Sequence, residues 1–148
     1  MSAHKTLVSL PFDPSTLPWI PLGPGESFKP LRFMPNGRAL LLRLEPGTIV
    51  PRHRHLGDVH GFNLSGTRLL LDTNETVGVG GYVYEPAGNV DSWMAVGDEP
   101  VVVYIVSFGA MEYLGEDGQV LRRDTPSSLH ETYLRFCSEN GLTPLELR

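Results

Sequence analysis

A single cysteine, Cys137, is all the thiol chemistry in this chain of 148 residues. One thiol excludes an internal disulfide and a thiolate cluster of the kind that holds structural zinc, and it is the usage expected in a reducing compartment. Long apolar runs are also missing. No segment approaches the roughly 18 apolar residues of a membrane span, and the N-terminus lacks the basic stretch and apolar run of a secretory signal. We therefore expect a cytoplasmic protein with no membrane partner. Positive charge is scarce: 12 Lys and Arg stand against 17 Asp and Glu, for a formal net charge of -5. With no basic stripe there is little electrostatic support for a nucleic-acid partner, which leaves a small-molecule ligand.

The length suggests one domain spanning residues 1–148, large enough to bury a core without staples. Within it, residues 1–38 carry prolines at 11, 14, 18, 21, 24, 30 and 35. That density denies a long helix and disfavours central sheet positions. Trp19, Ile20, Leu22, Phe28, Leu31 and Phe33 are too apolar for a disordered tail, so this stretch reads as an ordered arm packed on the rest of the chain or on a neighbouring subunit. Residues 39–110 read as a β-rich core. The apolar run Ala39 to Leu44, interrupted only by Arg43, suggests a strand buried on both faces, and further strands are expected near 48–55, 59–65, 67–73, 81–85, 92–96 and 101–108, with Gly or Pro between most of them. Short strands at this spacing argue for a sandwich or barrel. Residues 111–148 form a C-terminal extension. There, Thr125 and Pro126 read as helix cap and first turn, Leu129, Tyr133, Phe136 and Cys137 mark one apolar face, and Asn140-Gly141 supplies the stop.

Two blocks carry chemistry. Alternate residues of a strand share a face, so His53 and His55 can point into one cavity while Arg52 and Arg54 point away. Neutral imidazoles at that spacing suit iron, zinc, copper or nickel. In the second block a strand ends at Pro86-Ala87-Gly88, a turn that can bring Asp91 back toward the same cavity. Asp91 is then either a hard anionic donor or a turn residue bonded to its own backbone. His60 faces the cavity if Gly57 marks a β-bulge, and faces out if it does not, as the spacing from Val59 to Gly66 favours. Asp72 could supply a carboxylate, or be a surface hairpin residue. Arg43 is either an anion clamp or an ion-pair partner. Tyr82, Tyr84, Trp93 and Tyr104 read as packing residues, and Glu85, His130 and His4 as structural or surface ones.

The spacing of Gly47 to His53, of Gly66, and of Gly80 to Pro86 and Gly88 resembles the two motifs of the cupins. Trp19-Ile20-Pro21, Lys29 to Arg32, His53 to His60, Tyr82 to Gly88 and the terminal helix extend the likeness to the 2,4'-dihydroxyacetophenone dioxygenase-like cupins and the cupin half of the ChrR anti-sigma factors. The resemblance implies an all-β fold: a single cupin barrel, that is a double-stranded β-helix or jelly roll, with an N-terminal arm and a C-terminal helix. It also implies a divalent metal, Fe(II) first, with Zn, Mn, Ni or Cu as alternatives. The ligands would come from His53, His55, His60, Asp72 and Asp91. The chain departs from the family pattern in having Asp91 where such proteins place a histidine, and Asp72 where they place a glutamate.

The function expected is that of a non-haem dioxygenase acting on a small hydroxyketone or diketone with dioxygen, with carbon–carbon cleavage as the reaction. A non-redox metal-dependent cupin (isomerase, cyclase or lyase) and a non-catalytic sensor are the alternatives. No Ser-His-Asp or Cys-His arrangement is apparent that would supply a nucleophile. The apolar arm leads us to expect a homodimer.

Overall fold

The apolar run at Ala39 to Leu44 lies within the strand β3 (Gly37–Leu44), which explains much of the architecture around it. Its inward residues are Arg38, Leu40, Leu42 and Leu44, while Leu41 and Arg43 take the opposite face. In this computed structural model, which describes residues 7–148, two six-stranded antiparallel sheets face each other. His4 lies outside the described residues.

The first sheet contains β1 (Ile20–Gly23), β2 (Glu26–Met34), β3, β10 (Val101–Phe108), β5 (Val59–Ser65) and β8 (Tyr82–Glu85), in that order. The second runs β12 (Val120–Asp124), β11 (Met111–Leu114), β4 (Ile49–His55), β9 (Val90–Val96), β6 (Thr67–Leu70) and β7 (Glu75–Val77). The chain crosses repeatedly between sheets, which is the jelly-roll barrel that the resemblance implied. Between them Leu44, Val50, Trp93, Ala95, Val101 and Val103 form one core cluster.

The proline-rich arm is more regular than its composition suggests. It supplies β1 and β2 rather than an irregular strap. β1 occupies the sheet edge, where a proline costs no ladder bond that a neighbour needs, and β2 accommodates Pro30 at a register shift between Pro30 and Arg32. Ile20, Phe28 and Phe33 are buried in the chain's own core, so of the two placements open to the arm, these residues take the barrel.

The helix α1 (Pro126–Glu139) follows its sequence signals closely. Thr125 Oγ1 accepts from the Ser128 amide and Ser128 Oγ accepts from the Thr125 amide, a reciprocal cap at the first turn. Leu129, Tyr133 and Cys137 share a second core cluster with Ile20, Phe28, Phe33, Leu40 and Leu147. The Tyr133 hydroxyl accepts from the Leu145 amide at 2.8 Å, which ties the C-terminal tail over the helix. α1 thereby closes the barrel on the side of β2.

Candidate metal centre

β4 places both histidines inward through an irregularity of the ladder. Val50 pairs with Trp93, but His53 pairs with Asp91, so three steps along β4 match two along β9. The extra residue leaves Pro51 and Arg52 both exposed, so Val50 can pack in the core while His53 and His55 still face the interior. Proline suits such a place because it has no amide to donate. The Pro51 carbonyl lies 2.7 Å from His53 Nδ1. A carbonyl only accepts, so Nδ1 carries the proton and the Nε2 lone pair is left free, the tautomer a metal ligand needs.

The third member is Glu85, at the end of β8. His53, His55 and Glu85 each offer a ligand atom such that all these atoms lie within 4.8 Å of one another, and all three residues are buried. Two imidazoles and one carboxylate form a donor set that suits a divalent transition ion. The cluster could therefore hold a metal. The turn that follows Glu85 is laced to β4: the Gly88 amide donates to the His55 carbonyl at 2.7 Å and the His55 amide donates to the Asn89 carbonyl at 3.2 Å. Gly88 has φ of 88°, a conformation that a side chain would strain. Asn89 Nδ2 donates to Glu85 Oε1 at 3.0 Å, fixing that carboxylate's orientation.

Electrostatics prepare the same three groups. Burial lowers His53, and burial together with the neighbouring His53 and Arg38 pushes His55 down to about 3. Both imidazoles are therefore neutral near neutral pH and have lone pairs to give. Burial, then the charge of Asp91, pushes Glu85 up to about 7, against the opposing pull of Asn89 and Arg68. Arg68 stacks on Trp93, its guanidinium carbon 4.8 Å from the ring centroid, and its Nε donates to Asn63 Oδ1 at 3.1 Å.

The cluster opens onto a cavity of about 120 Å3. Leu40, Leu42, Val50, Val59, Trp93, Ile105 and Leu129 give it apolar walls, while Glu26, Arg38, Tyr113, Arg122 and Asp124 add polar groups. Burial and the adjacent Glu26 and Asp124 push Tyr113 up to about 12, so it stays a phenol able to donate a hydrogen bond.

The structure brings together only some of the residues expected at the site. His60 is exposed, stacks beside Tyr82 and Tyr84, and has Nδ1 2.6 Å from the Tyr82 hydroxyl. Val59 takes the inward position instead. Gly57 makes no parity shift: a Cβ there would collide with the Phe108 carbonyl, so close backbone approach is what requires glycine. Asp72 is a surface residue paired with Arg52 at 3.2 Å, beyond the end of β6, which stops at Leu70 rather than running to 73. Neither His60 nor Asp72 reaches the cluster. Asp91 lies in β9 rather than in the turn; it is buried opposite His53 and beside Glu85, and its Oδ1 accepts from the Ser92 amide at 2.8 Å.

Arg43 is an ion-pair residue, 3.2 Å from Glu45 on the outer face. Of the aromatics named from sequence, Trp93 lines the cavity while Tyr82, Tyr84 and Tyr104 are exposed on the outside. Glu85 is the residue that sequence reasoning missed. The signal was present: in β8 Tyr82 and Tyr84 face out, so Glu85 shares the inward parity of Val83, where a carboxylate is out of place unless it has work to do.

Comparison with known proteins agrees with this fold. A sequence model described as the ChrR cupin-like domain matches residues 9–112. No curated protein matches the chain. Among solved structures, an RmlC-like cupin protein from Ralstonia eutropha JMP134 superposes with a TM-score of 0.89 at 21% identity, covering 95% of this chain and 94% of that one. An acetylacetone dioxygenase from Acinetobacter johnsonii gives a TM-score of 0.76 at 14% identity, over 90% and 95% of the two chains. The anti-sigma factor ChrR, solved with SigE of Rhodobacter sphaeroides, gives 0.56 at 21% identity, over 62% of this chain and 49% of that one. With two thirds of its length accounted for and the jelly-roll barrel in place, the chain belongs to the ChrR cupin-like family.

Proposed function

We propose that the protein is a metal-dependent cupin dioxygenase that cleaves a carbon–carbon bond of a small hydroxyketone or diketone. His53, His55 and Glu85 hold the ion, Fe(II) in first place, and Asp91, beside Glu85, is the candidate for a fourth donor. The observation that carries this reading is the buried cluster of two neutral imidazoles and one carboxylate on the wall of a small, largely apolar cavity. The structural likeness to an acetylacetone dioxygenase supports it. A divalent ion bound there would supply Lewis acidity toward a substrate carbonyl and, as iron, redox chemistry with dioxygen. The chain's own contribution is orientation and exclusion of water. Trp93 and the aliphatic walls keep the cavity dry, and the Tyr113 phenol can donate to a substrate oxygen. In the same proposal the protein works in the cytoplasm as a homodimer, with the exposed Leu7, Val8 and Leu10 as apolar surface for the second copy.

An oxygen electrode tests the reaction. The Fe(II)-loaded protein should consume dioxygen with 2,4-pentanedione or a hydroxyketone, and the double variant His53→Ala/His55→Ala should not. The carboxyl pair Glu85 and Asp91 favours a second reading, proton transfer by a non-redox isomerase, cyclase or lyase. Turnover of the same compounds without dioxygen would select that reading over the first.

A further inference from the structure

Arg38 is a buried cation that the reading above leaves unused. It is 9% exposed, lies at the start of β3 and faces the cavity. Its Nε donates to the neutral Ser107 hydroxyl at 3.3 Å, and among the described residues it makes no ion pair. By contrast Arg43, Arg52, Arg54, Arg122 and Arg123 each meet a carboxylate. Arg68, buried like Arg38, is occupied by Asn63 and Trp93. A guanidinium cannot shed its charge to escape burial, so an unpaired one is retained at a cost unless something anionic visits it.

The register of the first sheet places this cation relative to the metal cluster. Glu85 pairs with Val59, Val59 with Ser107 and Ser107 with Arg38, one rung across four strands. Strands are about 4.8 Å apart, so a guanidinium resting on Ser107 lies over β10, roughly 10 Å from the strand that carries Glu85. Leu40, Leu42 and Ile105 line the apolar wall of the same cavity. The charge inventory has the same sense. Arg38, Arg68 and Arg122 line the cavity with Glu26, Glu85 and Asp124, but burial pushes Glu26 toward the neutral form, and Asp124, whose charge Arg38 feels, is already paired with Arg122 at 3.2 Å.

We propose that Arg38 receives a carboxylate of the substrate, which makes that substrate a small oxo acid or hydroxy-oxo acid anion whose carbonyl end is presented to His53, His55 and Glu85. A chain of roughly four to six carbons spans the gap once the reach of the flanking side chains is subtracted. The proposal rests on the metal-site reading for the position of the carbonyl end, though Arg38 itself is no ligand. Planar guanidinium and planar carboxylate match in a bidentate pair, which gives orientation as well as affinity.

Calorimetric titration with two nearly isosteric probes, acetoacetate and 2,4-pentanedione, tests it on both metal-loaded and metal-stripped protein. Wild type should bind the carboxylate probe about tenfold to a hundredfold more tightly than the diketone. Arg38→Met should abolish that preference while leaving diketone affinity and metal content unchanged, and Arg38→Lys should keep only part of it. Equal binding of the two probes by wild type, absence of acetoacetate binding, or a preference that survives Arg38→Met would overturn the proposal. Should Arg38→Met fail to fold, Arg38→Lys decides, because an undiminished preference with a compact ammonium contradicts the bidentate clamp. Failure of the metal reading is distinguishable: it appears as a wild-type protein without metal, in which the carboxylate preference can still be read.

Discussion

At the scale of single residues, the pair His53 and His55 was legible because a strand has a period of two, and the ladder irregularity before them preserves their common face. His60 was ambiguous for the same reason: one inserted residue would have turned it inward, and only the unbroken register of β5 from Val59 to Phe62, with Val59 inward and His60 outward, shows that none is inserted there. Glu85 was hidden because a lone glutamate before a proline turn has many ordinary explanations. Its environment now gives a pH prediction. Metal binding requires the ionised carboxylate, so affinity should rise with pH up to about 7 and level off above it, because His55, held near 3, stays neutral throughout that range. Asp91→Ala should move that midpoint downward, since the charge that helps raise Glu85 is gone. If Asp91 is also a donor, occupancy falls several-fold as well; a shifted midpoint at full occupancy makes it a charged neighbour only. In the metal-free protein, His55 takes up a proton near 6.5 when unfolded but near 3 when folded, so its contribution is present above 6.5 and is lost as pH falls toward 3. Glu85, raised from 4.5, acts oppositely between 4.5 and 7, and the loss on the acid side comes from the buried histidines, His53, which burial also lowers, acting in the same sense as His55. Metal titrations and urea melts across pH 3 to 8 measure both effects.

At the scale of elements, the helix was readable end to end because its signals are local: Thr125 caps it, Pro126 starts it, and its apolar residues recur at helical spacing. The arm was not, because proline counts against strands in general, whereas its effect depends on whether the residue lies at an edge or a bulge, which only the assembled sheet reveals. β11 and β12 went unread within the C-terminal extension for lack of any strong alternation. The importance of α1 as the closing element can be measured. Tyr133→Phe removes one hydrogen bond, to the Leu145 amide, and should cost about 1 kcal/mol. Tyr133→Ala also leaves a cavity in the second core cluster and should cost about 3–5 kcal/mol in urea unfolding. A cost under about 1 kcal/mol for the alanine variant would mean that the helix is peripheral to the fold.

At the scale of the whole molecule, the arm has two parts with different consequences. Ile20, Phe28 and Phe33 belong to the core, so a chain beginning at Asn36 should not fold, whereas Leu7, Val8 and Leu10 are exposed and their removal should leave the barrel intact. If the exposed stretch joins two copies, light scattering should report a dimer for the full chain and a monomer for one beginning at Asp13. The two sheets together bring His53, His55 and Glu85 around one point, where we propose that a metal binds. The most direct measurement is elemental analysis of wild type, Glu85→Gln, His53→Ala/His55→Ala and His60→Ala, each purified without a histidine tag. The account predicts divalent transition metal in wild type and His60→Ala, and its loss in the other two. Equal metal in all four, or loss in His60→Ala with retention in Glu85→Gln, would contradict it.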